Sequence, residues 1–254
     1  MASGKRWTRE ELLIAMNLYC KLPFGKLDQR TPLIIAAAKK MGRTPSSLSM
    51  KLCNLASLDP DLKARGIKGL EGASQGDRDI WKQFHQNWNE LGEESEELVE
   101  KLQLTPKSKK ESKLTAPDET DAMGWVKQRR GQQFFRATVL ASFNYRCCMT
   151  GNPIPELLRA SHIASWKKHP EHRLNPQNGL CLAATQDAAF DRYLITLDKE
   201  LRIILSKRLM EHFSNQSVRE NFEPYEGKKI ECPEKFEPDR AFLDYHRSAF
   251  SVNN

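Results

Sequence analysis

The chain has 254 residues, 39% hydrophobic and 29% charged, with a formal net charge of +7. No apolar run reaches the ~18 residues a membrane helix needs, and the opening MASGKRW lacks the apolar core of a signal peptide. Membrane insertion and secretion are thereby disfavoured, and a cytoplasmic protein of one or two domains with no membrane partner is expected.

The charge is unevenly spread. Residues 1–92 carry 15 basic and 9 acidic side chains, residues 93–123 carry 5 and 9, and residues 124–254 carry 20 and 15. Two basic modules flank an acidic-to-mixed connector, which suits a polyanionic partner bound with salt-dependent affinity. The six cysteines, Cys20, Cys53, Cys147, Cys148, Cys181 and Cys232, include no C-x-x-C pair, so no structural zinc is expected and they read as reduced, mainly buried thiols.

In chain order, Thr8 and Glu11 form a T-x-x-E capping box, with Trp7 placed to staple onto Leu12. The helix runs to about Cys20 with Leu12, Ala15, Met16 and Tyr19 on one face, and Pro23 and Gly25 break it. Thr31-Pro32 and Thr44-Pro45 each give a cap followed by proline at the first helical position, starting helices that end near Gly42 and Ser57. Asp59-Pro60 and the stretch with Gly66, Gly69 and Gly72 read as a loop. Ser74, with Asp77 three residues on, starts a helix carrying Ile80, Trp81, Phe84 and Trp88, whose spacing points to packing rather than base stacking. A Glu-rich helix is expected from about Glu94 to Leu104. Residues 105–122 are nearly devoid of apolar side chains and read as a flexible linker.

The three first helices, with a tight Met41-Gly42-Arg43-Thr44 turn, have a helix-turn-helix outline. W-T-R-E-E and G-R-T-P resemble Myb/SANT-type trihelical modules. That resemblance implies a third helix in the DNA major groove, with Arg43, Ser46, Ser47, Met50, Lys51 and Asn54 as candidate contacts. A small helical module for protein contacts or dimerisation is the alternative.

Trp125 to Phe143 is expected to be helical. Then Leu157 to Leu197 reads strand, polar loop, strand, short helix and a β-rich exit. The first strand ends in Ser161-His162-Ile163, the loop holds Trp166, Lys167, Lys168, His169 and His172, and Asn178-Gly179 opens the second strand. Gln186 reads as exposed, and His169 and His172 as solvated or phosphate-facing. Strands at Leu194-Thr196 and Leu201-Leu205 flank Asp198-Lys199-Glu200 as a hairpin. Residues 215–238 read as loop-rich. Asp239 to Phe250 reads as a closing helix that docks Phe242, Tyr245 and Phe250, with His246 structural.

A-S-H-I, R-L-N-P-Q-N-G-L and Q-D-A-A-F-D, with R-R-G-Q-Q-F-F-R upstream, resemble the HNH nuclease family, in a branch common among restriction-type enzymes. The resemblance spans roughly Arg129 to Leu205 and implies a ββα-metal fold. His162 falls at the general base, Asn178 at the middle position and Asp187 at the metal-ligand position usually held by histidine. A carboxylate there suits Mg²⁺ or Mn²⁺. Ser161 stands where the family often has an acid, so Asp187 would hold the metal with help from Asp191, water and the scissile phosphate. A structural acceptor role for Asp191 stays open. Arg129, Arg130, Gln132, Arg136, Lys167, Lys168 and Arg173 are candidate DNA-backbone contacts.

The fold expected is α+β: an all-α, helix-turn-helix-like domain over residues 1–104, the linker, and an HNH nuclease domain over 123–254. The function expected is metal-dependent hydrolysis of double-stranded DNA in restriction or phage defence. A toxin-type nuclease of loose specificity, or a non-catalytic DNA-binding regulator with a degenerate site, are the other readings. A homodimer, or two visits by one site, would account for double-strand cleavage.

Overall fold

The computed structural model describes residues 6–67, 72–104 and 119–253, with the side chains of 119–126 left aside. The chain divides into two compact units, Met1–Ala137 and Thr138–Asn254. Residues 105–118, most of the expected linker, lie outside the described residues. Among the described residues no helix is long and apolar enough to cross a membrane.

The first unit is helical. Helix α1 (Arg9–Lys21) opens on the expected capping box, with Thr8 accepting from the Glu11 amide at 3.2 Å and Glu11 accepting from the Thr8 amide at 2.8 Å. Every residue from Glu11 to Cys20 is buried, so α1 is the axis of the unit rather than a one-faced surface helix. Helices α2 (Pro32–Lys40) and α3 (Pro45–Ala56) follow as expected. The Asp59-Pro60 loop is corrected to a short helix, α4 (Pro60–Ala64), because Asp59 caps it through the Asp61 amide and Pro60 takes the first helical position.

Ser74 and Asp77 cap α5 (Gln75–Gln86), and α6 (Trp88–Lys101) starts well before Glu94. The reason is Asn87, whose extended backbone ends α5 while its side chain accepts from the Glu90 amide. Trp88 therefore begins α6 rather than closing α5. Helices α3, α5 and α6 pack on α1. Trp81 meets Tyr19 edge-on at 5.8 Å and Trp88 meets Phe84 at 5.6 Å, so these aromatics are packing groups.

Buried charge fastens this unit. Lys51 Nζ donates to both Asp77 oxygens at 2.7 and 3.0 Å, with the Asp77 side chain fully buried and the Lys51 side chain 7% exposed. Arg43 bonds Glu11 at 2.7 Å and lies 4.5 Å over the Trp7 ring, so Trp7 sits beneath two cations, Lys51 being the second. Asn54 donates to the Gly72 carbonyl at 3.2 Å. Arg43, Lys51 and Asn54, expected at a DNA surface, thus bond within the unit, Arg43 and Lys51 to the buried carboxylates of Glu11 and Asp77. Ser46 and Met50 are exposed and Ser47 half-exposed on α3, on the side away from the buried Leu48, Leu52 and Leu55.

Helix α7 (Glu119–Ser142) starts earlier than Trp125, and the division between units falls within it. In the second unit, strand β1 (Leu158–His162) pairs antiparallel with β2 (Gly179–Ala183), His162 opposite Gly179. Helix α8 (Ala184–Asp191) packs across this hairpin. Strands β3 (Ile195–Leu197) and β4 (Ile203–Leu205) form a second hairpin. Helix α9 (Lys207–Met210) follows it, and the stretch 215–238, expected to be loop-rich, holds α10 (Gln216–Phe222); side chains of Ser206 and Asn215 cap the two helices. Helix α11 (Arg240–Asn253) closes the unit on β3. Cys20, Cys147, Cys148 and Cys181 are buried free thiols, Cys53 is half-buried and Cys232 exposed.

Removing one member of a buried pair leaves an uncompensated charge, which costs about 3–5 kcal/mol. Lys51→Met should therefore lower the urea midpoint of the full chain's first transition, while Ser46→Ala leaves it in place. Equal midpoints for the two variants would refute the role given to this pair.

Candidate active site

His162 ends β1 and Asp187 sits in the first turn of α8, and both line one cleft of about 480 Å³. Asp191, Arg159, Trp166, Lys167, Tyr193 and His246 also line it. The hairpin and its following helix bring these side chains together, although Asp187 lies far along the chain from His162.

The imidazole of His162 is held in one tautomer. Its Nε2 lies 3.0 Å from the Arg173 carbonyl, which can only accept, so Nε2 carries the hydrogen and Nδ1 carries the lone pair. The ring meets Trp166 edge-on at 5.2 Å. Burial, chiefly, pulls its pKa down to about 4; the Arg173 charge acts in the same direction and the hydrogen bond to the Arg173 carbonyl opposes both. The ring is therefore neutral at physiological pH.

Asn178 is fully buried and fastens the loop that supplies that carbonyl. Its Oδ1 accepts from the Ala164 amide at 2.7 Å, and its Nδ2 donates to the carbonyls of Ala164 at 3.2 Å and His172 at 3.3 Å. Its own backbone carbonyl accepts from Ile163 at 3.0 Å. Arg173 bonds the Trp166 carbonyl at 3.0 Å and stacks over the Trp166 ring at 5.0 Å, so this side chain, expected on DNA, also braces the loop.

His169 and His172 are partly exposed, with 28% and 40% of their side chains accessible, and each also touches α11. His169 meets Tyr245 at 4.6 Å and His172 meets Phe242 at 4.9 Å, so both dock the loop on α11. Lys167 and Lys168 are exposed. Arg130 bonds Glu100 at 2.7 Å within the first unit, where Arg129, Gln132 and Arg136 also lie; Arg129 and Gln132 are exposed. Gln186 is buried rather than exposed, because its amide donates to the Asn221 carbonyl at 3.2 Å. Arg159 and Tyr193 were not anticipated at the cleft. Tyr193 carried no sequence signal, since its place follows from a left-handed backbone (φ 55°) after α8.

Asp187 and Asp191 stand one helical turn apart on α8. Burial raises the pKa of Asp191, and the neighbouring Asp187 charge raises it further. Ser161, 2% exposed, lines the same cleft with a buried hydroxyl that has no hydrogen-bond partner among the described residues. Two mutually repelling carboxylates and an unsatisfied hydroxyl fit a hard divalent cation, which commonly takes one or two protein carboxylates and fills its shell with water and phosphate oxygens. Among the described residues no three His, Cys, Asp or Glu side chains are grouped to hold an ion without such help.

His246, whose pKa burial likewise lowers to about 4, is the second neutral buried ring here. Unfolded histidines titrate near 6.5, so between about pH 6.5 and 4 the unfolded chain binds more protons than the folded one. Stability is full above that window and falls as pH drops through it, by on the order of 2 kcal/mol per ring. A urea midpoint of the second unit that is unchanged from pH 7 to 4.5 would contradict this.

A comparison with curated proteins returned no match. The family model described as HNH endonuclease matches residues 147–198, which contain the β1–β2 hairpin and α8. The second unit is thus similar to the HNH endonuclease family over that stretch, within which His162, Asn178, Asp187 and Asp191 all fall.

Proposed function

We propose that the protein is a divalent-metal-dependent endonuclease that hydrolyses phosphodiester bonds of double-stranded DNA, in restriction or phage defence. The observation that carries this reading is the fixed tautomer of His162 in a cleft shared with Asp187 and Asp191. A neutral imidazole with its lone pair on Nδ1 is the form a general base must take, and such bases contribute about 10²–10⁴-fold.

In the proposed reaction, Nδ1 of His162 takes a proton from water as the water oxygen bonds to phosphorus. The bond from phosphorus to the leaving 3′-oxygen breaks, and that oxygen is protonated from solvent. Asp187 and Asp191 would hold the cation, which when bound supplies charge neutralisation at a nonbridging oxygen and at the leaving oxygen. Asn178 keeps the Arg173 carbonyl, and with it the His162 ring, in position. Lys167 and Lys168 meet the DNA backbone.

The first unit is proposed to bind DNA as a Myb/SANT-like module through the outer side of α3, where Ser46, Ser47 and Met50 are accessible. Of the candidate contacts in the upstream motif, Arg129 and Gln132 are exposed. The restriction role rests on the sequence resemblance of that motif and of R-L-N-P-Q-N-G.

Plasmid cleavage with Mg²⁺, with Mn²⁺ and with chelator tests the reading. Wild type should cut only with metal, and His162→Ala and Asp187→Ala should each lose at least about 10²-fold while still retarding duplex DNA. Asn178→Ala should lose about 10–100-fold, as groups that orient a reacting residue do. Cleavage by both His162→Ala and Asp187→Ala at the wild-type rate would sink the proposal, and metal-independent DNA binding without cleavage would favour the regulatory alternative. Preference for unmodified over methylated plasmid would separate restriction from indiscriminate cutting.

Neutralising Lys167 and Lys168 together should weaken DNA binding and reduce the salt slope by about two. An unaltered slope would remove both from the interface.

A further inference from the structure

Helix α8 carries the two cleft carboxylates but has little of its own to hold it. It is 8 residues long, and its N-cap, Ala183, supplies no side-chain hydrogen bond. Helices this short are marginal alone, so the register of α8 depends on tertiary contacts.

His246 of α11 supplies such a contact at the C-terminal end. It is 2% exposed and stacks on Phe190 with 3.7 Å between centroids and 8° between planes. Its Nε2 donates to the Phe190 carbonyl at 3.1 Å, and its Nδ1 accepts from the Thr196 hydroxyl of β3 at 2.8 Å. The Phe190 carbonyl is one of the helix-end acceptors that the helix cannot itself satisfy, and it accepts from the Tyr193 amide as well, at 2.9 Å. One ring thereby ties α11 to β3 and to the last turn of α8, immediately beside Asp191. A phenylalanine would fill the same space but would leave the buried Thr196 hydroxyl and the Phe190 carbonyl without these two bonds.

We infer that His246 is a positioning residue: it sets the placement of Asp187 and Asp191 for the cation by clamping the end of α8. This inference rests on the proposed metal-dependent function, whose carboxylates it concerns.

The test compares His246→Phe, which keeps an aromatic ring but loses both polar bonds, with His246→Gln, which keeps a donor for the Phe190 carbonyl. Val139→Ala, a core change in the same unit outside the cleft, controls for general destabilisation. Mn²⁺ binding to the full chain with a duplex oligonucleotide is titrated for each, and amide hydrogen exchange is followed across residues 184–191. The expected result is a Mn²⁺ affinity about 10–100-fold weaker in His246→Phe, as for other groups that orient metal ligands. Exchange in α8 should be faster in that variant. His246→Gln should recover most of the affinity, and Val139→Ala should leave it unchanged.

Unchanged affinity in His246→Phe, or an equal loss in Val139→Ala, overturns the clamp while leaving the nuclease reading intact. A wild-type chain that takes up no Mn²⁺ and cuts no DNA overturns the function first and the inference with it.

Discussion

The second unit depends on one buried amide. Asn178 is fully enclosed, and its three side-chain hydrogen bonds hold the start, the middle and the end of the loop between β1 and β2 together. A buried amide left unpaired costs about 1–3 kcal/mol per group, so the loop cannot drift without a penalty. The Arg173 carbonyl stands at the end of that loop, and the tautomer of His162 follows from it. The orientation of a cleft imidazole is thus held by a residue that does not itself line the cleft.

The first unit uses the same device with charges. Arg43–Glu11 and Lys51–Asp77 are buried and join α1, α3 and α5 with their flanking turns. Such pairs add less net stability than their geometry suggests, because desolvation opposes the attraction. Breaking either pair is costly, which makes them effective at specifying a single arrangement of short helices. They hold the Lys51 side chain of α3, and the Arg43 side chain of the turn before it, against carboxylates. What remains outward on α3 is Ser46, Ser47 and Met50, a less charged face than a basic recognition helix would offer.

The cleft also shows why its elements are spread through the unit. The short α8 carries the carboxylates, β1 carries the imidazole, and α11 holds both the loop, through Tyr245 and Phe242, and α8, through His246. An element so short depends on tertiary contacts for its placement. His246, from a segment more than fifty residues later, supplies one at its C-terminal end.

Local signals in the sequence determined most of the elements. Capping pairs such as Thr8 with Glu11 and Ser74 with Asp77 act over one helical turn, so they can be read without knowing the fold. The same holds for the α+β class; His162, Asn178 and Asp187 stand out by a pattern local to one hairpin and helix, and His162 and Asp187 line one cleft. Only the tertiary structure decided which polar side chains face inward. Arg43, Lys51, Asn54 and Gln186 each look like surface residues in sequence, yet each meets a partner distant along the chain, at Glu11, Asp77, Gly72 and Asn221. Burial of a polar group depends on whether such a partner arrives, and that is a property of the packed chain rather than of any window within it.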